Sequence, residues 1–184
     1  MNTNEEYGKF TGPGEVRIVR ILPGPIERVW DYLTVPEKRA RWFCGGVTEQ
    51  KPGGKVQFAM LHKNLSPDET PPPEFAQVQC KGVNFEGRVV RYEPPRVLAY
   101  TFGNDDSVVT FELTPQGRQV LLILTHRAQG AEEQAEISKY GAGWHTHLAL
   151  LVAELEGTAR PLFWAPHLKL RPIYEKLLSA AQKN

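Results

Sequence analysis

His126, His62 and Tyr100 are the side chains in this sequence best suited to place polar chemistry inside an apolar site. Each lies in a segment whose residue pattern predicts a β-strand, so each could project from a sheet into a cavity. Imidazole titrates near neutral pH, and His126 beside a polar cavity could therefore act as a general base. An enzyme would need several such groups to converge, and these three side chains are the candidates.

The sequence contains no recognisable catalytic or phosphate-binding motif. There is no G-x-S-x-G nucleophile elbow, and the glycines of Gly12-Pro13-Gly14 and Gly45-Gly46 lack the context of a phosphate loop. The acidic pair Asp105-Asp106 falls in a predicted hairpin tip, where solvation is expected. The sequence therefore predicts no catalytic residues and leaves enzyme activity undecided, with the weight against it.

The histidines and cysteines are not spaced as metal ligands. His145 and His147 lie two positions apart on a predicted helix, which separates them by about 200° around its axis. Helical ligand pairs occur at i, i+3 or i, i+4 instead. Cys44 and Cys80 are far apart in the sequence and are expected to be semi-buried thiols. No metal site and no cofactor is predicted.

Composition indicates an ordinary globular protein. The 184 residues are 41% hydrophobic and 23% charged, with a net charge of +1. That balance argues against nucleic acid or an anionic membrane as the main partner. No segment has the length and apolarity of a membrane span, and residues 1–10 hold no signal-peptide run. The expected location is the cytoplasm.

A strand and two short helices are predicted first. Glu15–Leu22 is rich in Val and Ile, which favours a strand, and Pro23-Gly24-Pro25 ends it. Apolar residues then recur at helical spacing over Ile26–Leu33. Thr34 is expected to cap a second helix that runs to Phe43 and ends at Gly45-Gly46.

Period-two alternation follows and predicts five strands, which are Lys55–His62, Val83–Tyr92, Arg96–Phe102, Ser107–Thr114 and Gln119–Arg127. The proline-rich segment Asn64–Lys81 interrupts them and is expected to be a lid or binding loop, or else a solvent-exposed insertion. Ser138–Glu156 is the clearest helix, and Gly157 is placed to cap its end. In the tail, Ile173, Tyr174, Leu177 and Leu178 suggest a short amphipathic helix.

These elements predict an α+β fold in which a curved antiparallel sheet wraps around the long C-terminal helix, with two short helices after the first strand. A helix across the concave side of a sheet leaves a void unless large side chains fill it. The inward-facing residues could line a ligand cavity or simply pack the core. The predicted ligand-binding residues are Trp42, Phe58, Met60, His62, Phe85, Tyr100, Phe102, Phe111, His126, Trp144 and Leu148.

The sequence also resembles a known superfamily. The run Arg20–Glu37 looks like the opening signature of the SRPBCC, or START-like, superfamily, and within it the chain is similar to the family related to the activator of the heat-shock-protein ATPase. The stretches that fit this family are Arg41–Phe43, Glu93–Leu98, Leu124–His126 and Gly141–Leu151. The resemblance implies a helix-grip fold and a single START-like domain over residues 1–184, with a core of about 15–157 and a tail of 158–184.

Three functions are compatible with these observations. The favoured one is binding of a small, largely apolar molecule in the cavity between sheet and helix. An enzyme of the cyclase or hydrolase type could use the same cavity, as some members of the superfamily do. The family name implies a co-chaperone or protein-interaction module, although a shared fold does not transfer function. The amphipathic tail could then offer an apolar surface, pair two copies as a homodimer, or close one end of the cavity.

Overall fold

The computed structural model describes residues 3–183, without the side chains of residues 132 and 133. Within these residues the chain forms seven strands, five α-helices and three short 3-10 helices at Thr3–Glu5, His62–Asn64 and Pro73–Phe75. The strands are β1 (Lys9–Gly12), β2 (Glu15–Pro23), β3 (Lys55–Met60), β4 (Val83–Glu93), β5 (Val97–Phe102), β6 (Asn104–Gln116) and β7 (Gln119–Ala128). The α-helices are α1 (Ile26–Thr34), α2 (Pro36–Arg39), α3 (Ala76–Cys80), α4 (Ala131–Glu156) and α5 (Trp164–Ala181).

All strands join one curved antiparallel sheet in the order β1-β2-β7-β6-β5-β4-β3. Strands β3 to β7 follow one another in chain order, as short connections favour, whereas β2 pairs along its whole length with β7. Helix α4 lies across the sheet and contacts β2 and β7. The predicted α+β helix-grip fold, with two short helices after the first long strand, is confirmed.

Alternation along the strands sorts side chains as expected for a sheet with one covered face. In β7 the side chains of Val120, Leu122, Leu124 and His126 are buried, whereas Gln119 and Arg127 are exposed. Because successive side chains point to opposite faces, this pattern fixes the register of β7 between β2 and β6. A one-residue slip would bring His126 out of the core.

The second helix is shorter than predicted. It stops at Arg39, whose buried guanidinium donates to the carbonyls of Cys44, Gly45, Gly46 and Gln57 and to the Thr48 hydroxyl. These bonds wrap the chain around the arginine, so the following residues leave the helix axis. The expected cap at Thr34 is also wrong: this residue ends α1, and its hydroxyl donates to the Trp30 carbonyl.

Helices α4 and α5 and strand β6 extend beyond the predicted bounds, and β1 and α3 were missed. Helix α4 begins at Ala131 instead of Ser138, because the acidic, alanine-containing stretch before Ser138 consists of good helix formers. Helix α5 covers 18 residues, whereas the apolar residues from Ile173 to Leu178 suggested only a short amphipathic helix. The edge strand β1 is only four residues long and too short for a periodic signal.

Tyr174 fastens α5 to the rest of the core. Its hydroxyl accepts a hydrogen bond from the Gly8 amide at 2.8 Å and shares a second hydrogen bond with Nδ1 of His145, 3.0 Å away. Burial raises the pKa of Tyr174 to about 12, so the phenol keeps its proton. The ring lies over Gly141 of α4, where an added Cβ would come within 2.5 Å of the Tyr174 ring. Tyr174 therefore requires glycine at position 141.

Two glycines on α4 should consequently respond in opposite ways to alanine. Gly141→Ala is expected to lower the free energy of unfolding by about 1–3 kcal/mol, because the new methyl overlaps the Tyr174 ring. Gly143→Ala should raise it by about 0.5–1 kcal/mol, because a Cβ there meets open space and alanine favours helix. Urea unfolding of the two variants beside the parent measures both changes. Equal effects would contradict the packing described for Tyr174.

Candidate functional site

A cavity of about 760 Å³ lies between one end of the sheet, α4 and the N-terminal half of α5. The proline-rich stretch of residues 64–81, here called the cap segment, closes one side of it. The sheet contributes Met60, Val83, Phe85 and Phe102, and α4 contributes Tyr140, Gly143, Trp144 and His147. The remaining apolar or aromatic wall comes from Phe43, His62, Phe75, Val78, Phe163, Trp164 and His167. The wall is therefore largely aromatic.

The predicted ligand-binding residues divide into two groups. Met60, His62, Phe85, Phe102 and Trp144 line the cavity. The others pack behind this wall in the core and do not line it: Trp42, Phe58, Tyr100, Phe111, His126 and Leu148. Part of the inward-facing set therefore lines the cavity, and the other part packs the core.

Phe58 and Tyr100 illustrate why some inward-facing residues stay in the core. Phe58 stacks on Phe85 with ring centroids 4.7 Å apart and meets Tyr100 edge-on at 5.2 Å. Phe85 is half-buried and faces the cavity, so it covers the two fully buried rings behind it. Burial raises the pKa of Tyr100, so its hydroxyl keeps its proton.

His126 is held between two hydrogen-bonding partners and is fully buried. The Trp144 indole N–H donates to Nδ1 at 2.9 Å, so Nδ1 carries no proton, and Nε2–H must donate to the Ser107 hydroxyl 2.7 Å away. Burial lowers the pKa of His126 to about 3. Because Nε2 already carries a proton, it cannot take the proton of the Ser107 hydroxyl. The arrangement supports a positioning role, in which His126 fixes the Trp144 ring at the cavity wall.

The cap segment is bound to the start of α5 by the carboxylate of Glu69. This carboxylate accepts hydrogen bonds from the backbone N–H groups of Phe163 at 2.6 Å, Trp164 at 3.2 Å and Ala165 at 3.3 Å, and from the Ser66 hydroxyl. Burial raises the pKa of Glu69, but these hydrogen bonds outweigh it and lower the pKa overall. A carboxylate at the N-terminus of a helix also complements its dipole.

A second set of contacts also links the cap segment to the start of α5. Trp164 donates through its indole nitrogen to Gln79 at 2.9 Å, and Gln79 in turn donates to the Ser66 carbonyl at 3.0 Å. Phe75 stacks on Trp164 with centroids 5.0 Å apart. Leu65, Ser66 and Gln79 are buried, so the inner side of the cap segment packs against the rest of the protein while most of its other residues are exposed.

Two ion pairs stand at the rim of the cavity. Arg171 of α5 donates to Glu74 of the cap segment at 2.9 Å, and Lys139 donates to Glu136 on α4 at 2.7 Å. Each pair joins one positive and one negative group, so the rim carries no excess charge. Such exposed pairs contribute little to stability but keep the entrance electrically neutral.

The comparisons with known proteins agree with this fold. A family model described as Activator of Hsp90 ATPase homolog 1-like protein matches residues 23–156. The chain belongs to this family. The match confirms the family predicted from the sequence, and it ends with α4, so α5 and its cavity-lining residues lie outside the family region.

Solved structures extend the comparison over nearly the whole chain. A Bordetella parapertussis protein solved by NMR in solution is 38% identical over 93% of this chain and 90% of its own, with a TM-score of 0.77. CalU16 of Micromonospora echinospora is 22% identical over 94% of this chain and 95% of its own, with a TM-score of 0.64. A conserved Enterococcus faecalis protein of unknown function is 17% identical over 97% of this chain and 93% of its own, with a TM-score of 0.70. The last two show the shared fold alone.

The search of curated proteins found no match to this member of the Activator of Hsp90 ATPase homolog 1-like family.

The cavity wall includes residues that the sequence did not single out. Phe163, Trp164 and His167 come from the tail, and Phe75 and Val78 come from the cap segment. The sequence signal for the three tail residues is their spacing, which would bring Phe163, Trp164 and His167 to one face of a helix. His147 lines the cavity, whereas His145 is half-buried against Tyr174 and outside it.

The structure adds two observations about other kinds of site. Among the residues it describes, no group of three or more His, Cys, Asp or Glu side chains could hold a metal ion. In the same part of the chain, no helix is both long and apolar enough to span a bilayer. Both cysteines are free, and burial raises the pKa of Cys44 to about 12, which leaves it an unreactive thiol.

Burial of the histidines should make stability depend on pH. Burial lowers the pKa of His126 to about 3 and those of His62 and His145 to about 4, whereas the unfolded chain protonates its histidines near 6.5. Between pH 6.5 and about 4 the unfolded state therefore binds more protons. The free energy of unfolding is expected to fall with decreasing pH by about 1.4 kcal/mol per pH unit for each of these histidines.

Urea unfolding at several pH values measures this slope, and His126→Asn offers a matched variant. The asparagine oxygen can still accept the Trp144 hydrogen bond, but one titrating group is removed, so the slope should decrease by about 1.4 kcal/mol per pH unit. An NMR titration that found His126 protonating near pH 6.5 would refute the burial argument.

Proposed function

We propose that this protein binds a small, largely apolar molecule in the cavity enclosed by the sheet, α4, α5 and the cap segment. The observation that carries the proposal is the aromatic wall around a space of about 760 Å³. Sites for small molecules typically measure about 300–1,000 Å³ and combine apolar walls with a few placed polar groups. Here the placed groups are the imidazoles of His62, His147 and His167.

Hydrogen bonds and ring packing hold the side chains of the cavity wall in place. Trp144 is held by its hydrogen bond to His126, and Trp164 by its hydrogen bond to Gln79. Phe43, which is itself buried, packs against the Trp144 ring with centroids 4.8 Å apart. Rings fixed in this way do not have to reorganise on binding, which lowers the entropic cost of association.

Binding has more support than catalysis. The histidine with the best candidate nucleophile beside it, His126, has both ring nitrogens engaged and lies behind the wall. The three histidines on the wall have no carboxylate partner of the kind that orients a catalytic imidazole, as far as the described hydrogen bonds extend.

The protein-interaction alternative rests mainly on the family description. In the part of the chain described, the large apolar side chains that are exposed are Tyr7, Val47, Val90, Leu162 and Leu168. Single exposed apolar residues are normal on protein surfaces. The tail residues named for an apolar surface do not form one, because Tyr174 is buried and Ile173 and Leu177 are half-buried. Among the residues described, the large apolar side chains that the tail exposes are only the separate ones of Leu162 and Leu168.

A fluorescent probe and a cavity-filling variant test the proposal. N-phenyl-1-naphthylamine is small, apolar and uncharged, and its emission rises in apolar surroundings. We expect it to bind the parent protein and not Gly143→Leu, because Gly143 lines the cavity and a side chain there extends into open space. Gly143→Ala, which adds one methyl group, should still bind within about threefold of the parent.

The outcome is interpretable only if the variants fold, so circular dichroism and urea unfolding accompany the titration. Gly143→Leu should be at least as stable as the parent, because leucine has a higher helix propensity than glycine. A folded Gly143→Leu protein that binds the probe as tightly as the parent would exclude this cavity as the binding site.

A further inference from the structure

We propose that the polar end of the cavity accepts hydrogen bonds from its ligand, and that the protein therefore selects an uncharged aromatic or alicyclic molecule bearing a hydroxyl or N–H group. The polar end consists of His62, His147 and His167. The inference rests on the proposed binding function and names the ligand class for the same site.

His147 presents an unprotonated nitrogen. Its Nδ1 atom lies 2.9 Å from the carbonyl oxygen of Trp42, which can only accept, so Nδ1 carries the proton. Burial, together with the neighbouring His62, lowers the pKa of His147 well below its ordinary value, so the ring is neutral. The Nε2 atom on the other side of the ring then keeps a free lone pair, and none of the described hydrogen bonds reaches it.

His167 presents a second unprotonated nitrogen. Its ring donates a hydrogen bond to the backbone of Ala142, while its buried Nδ1 atom has no partner in the described structure. The proton therefore lies on Nε2, and Nδ1 is an acceptor without a donor. Burial and the nearby Arg171 lower the pKa of His167, which keeps this ring neutral as well.

His62 lacks a partner at the same end of the cavity. Its Nδ1 atom is buried without a hydrogen bond, although the residue is only 5% exposed. Among the described residues, only His62, His167 and Arg20 have such buried, unpartnered side-chain nitrogens, and both histidines line the cavity. Native proteins rarely leave buried polar atoms unpaired, so an unpaired atom beside a cavity indicates the position of a ligand or water.

The three histidine rings of the polar end are packed against other aromatic rings. His62 stacks on Trp164 with centroids 5.1 Å apart and meets Phe163 edge-on at 4.6 Å. His167 stacks on Phe163 at an interplanar angle of 18°. His147 lies 5.3 Å from the His62 ring. Aromatic packing thus holds the acceptors of His147 and His167 and the unpartnered His62 ring in place, and a ligand with a donor can complete the acceptors.

The charges around the site disfavour an anionic ligand. The cations at the rim, Arg171 and Lys139, are already paired with Glu74 and Glu136. A carboxylate brought to the polar end would meet imidazole lone pairs and no free cation among the cavity-lining residues described. An alcohol or phenol, in contrast, supplies the missing proton without a charge to desolvate.

Three probes of one shape test the selection by isothermal titration. They are 4-phenylphenol, which has a donor, 4-methoxybiphenyl, which has none, and biphenyl-4-carboxylate, which is charged. We expect 4-phenylphenol to bind about tenfold more tightly than 4-methoxybiphenyl, and the carboxylate to bind more weakly than both. In His147→Phe and His167→Phe, which keep a ring but lose the acceptor, the preference for the phenol should fall to about threefold or less.

His145→Phe is the matched control, because His145 lies on the same helix outside the cavity, and it should keep the full preference. If the cavity variants do not fold, nitrogen-15 spectra of the parent decide: adding 4-phenylphenol should shift an unprotonated imidazole nitrogen. Equal binding of phenol and ether, with no such shift, would overturn the inference and leave the proposed function standing. Failure of all three probes to bind would overturn both.

Discussion

The carboxylate of Glu69 connects the cap segment to the start of α5, two parts of the chain that are far apart in the sequence. It accepts hydrogen bonds from the first backbone amides of α5, which have no partner within their own helix. Through this contact the cap segment and α5 cover the same end of the sheet. The aromatic rings and histidines that these two parts carry become cavity wall only because they are held there.

Burial of the histidines determines what chemistry the enclosed site offers. All five histidines of the chain have a lowered pKa, chiefly because burial disfavours the charged ring. In a neutral imidazole one nitrogen donates a hydrogen bond and the other accepts one. A partner on one nitrogen therefore decides whether the other nitrogen is the donor or the acceptor. Trp144 and Ser107 use both sides of His126, whereas His147 and His167 each keep one side free. The same desolvation thus produces a structural histidine behind the wall and acceptors on it.

The sequence predicted the sheet, the long helix and the family, because these depend on local periodicity and on a continuous signature. It identified the inward face of each strand but not the depth of each residue on that face. Phe85 and Phe58 are both inward-facing in the alternating pattern of their strands, yet Phe85 faces the cavity and Phe58 lies behind it. The sequence offered a lid role for the cap segment and a cavity-closing role for the tail, but it could not predict which of their residues meet, since Glu69 and Phe163 are 94 positions apart. Contacts of that range leave no periodic trace.

The location of a bound probe tests the central claim most directly. With isotopically labelled protein and unlabelled N-phenyl-1-naphthylamine, filtered NOE spectra would report which protein protons lie beside the probe. The account predicts NOEs to Val83, Trp144 and Phe163, which surround the cavity on the sheet, α4 and α5 sides. NOEs confined to Leu162 and Leu168, which are exposed on the outer surface, would contradict it.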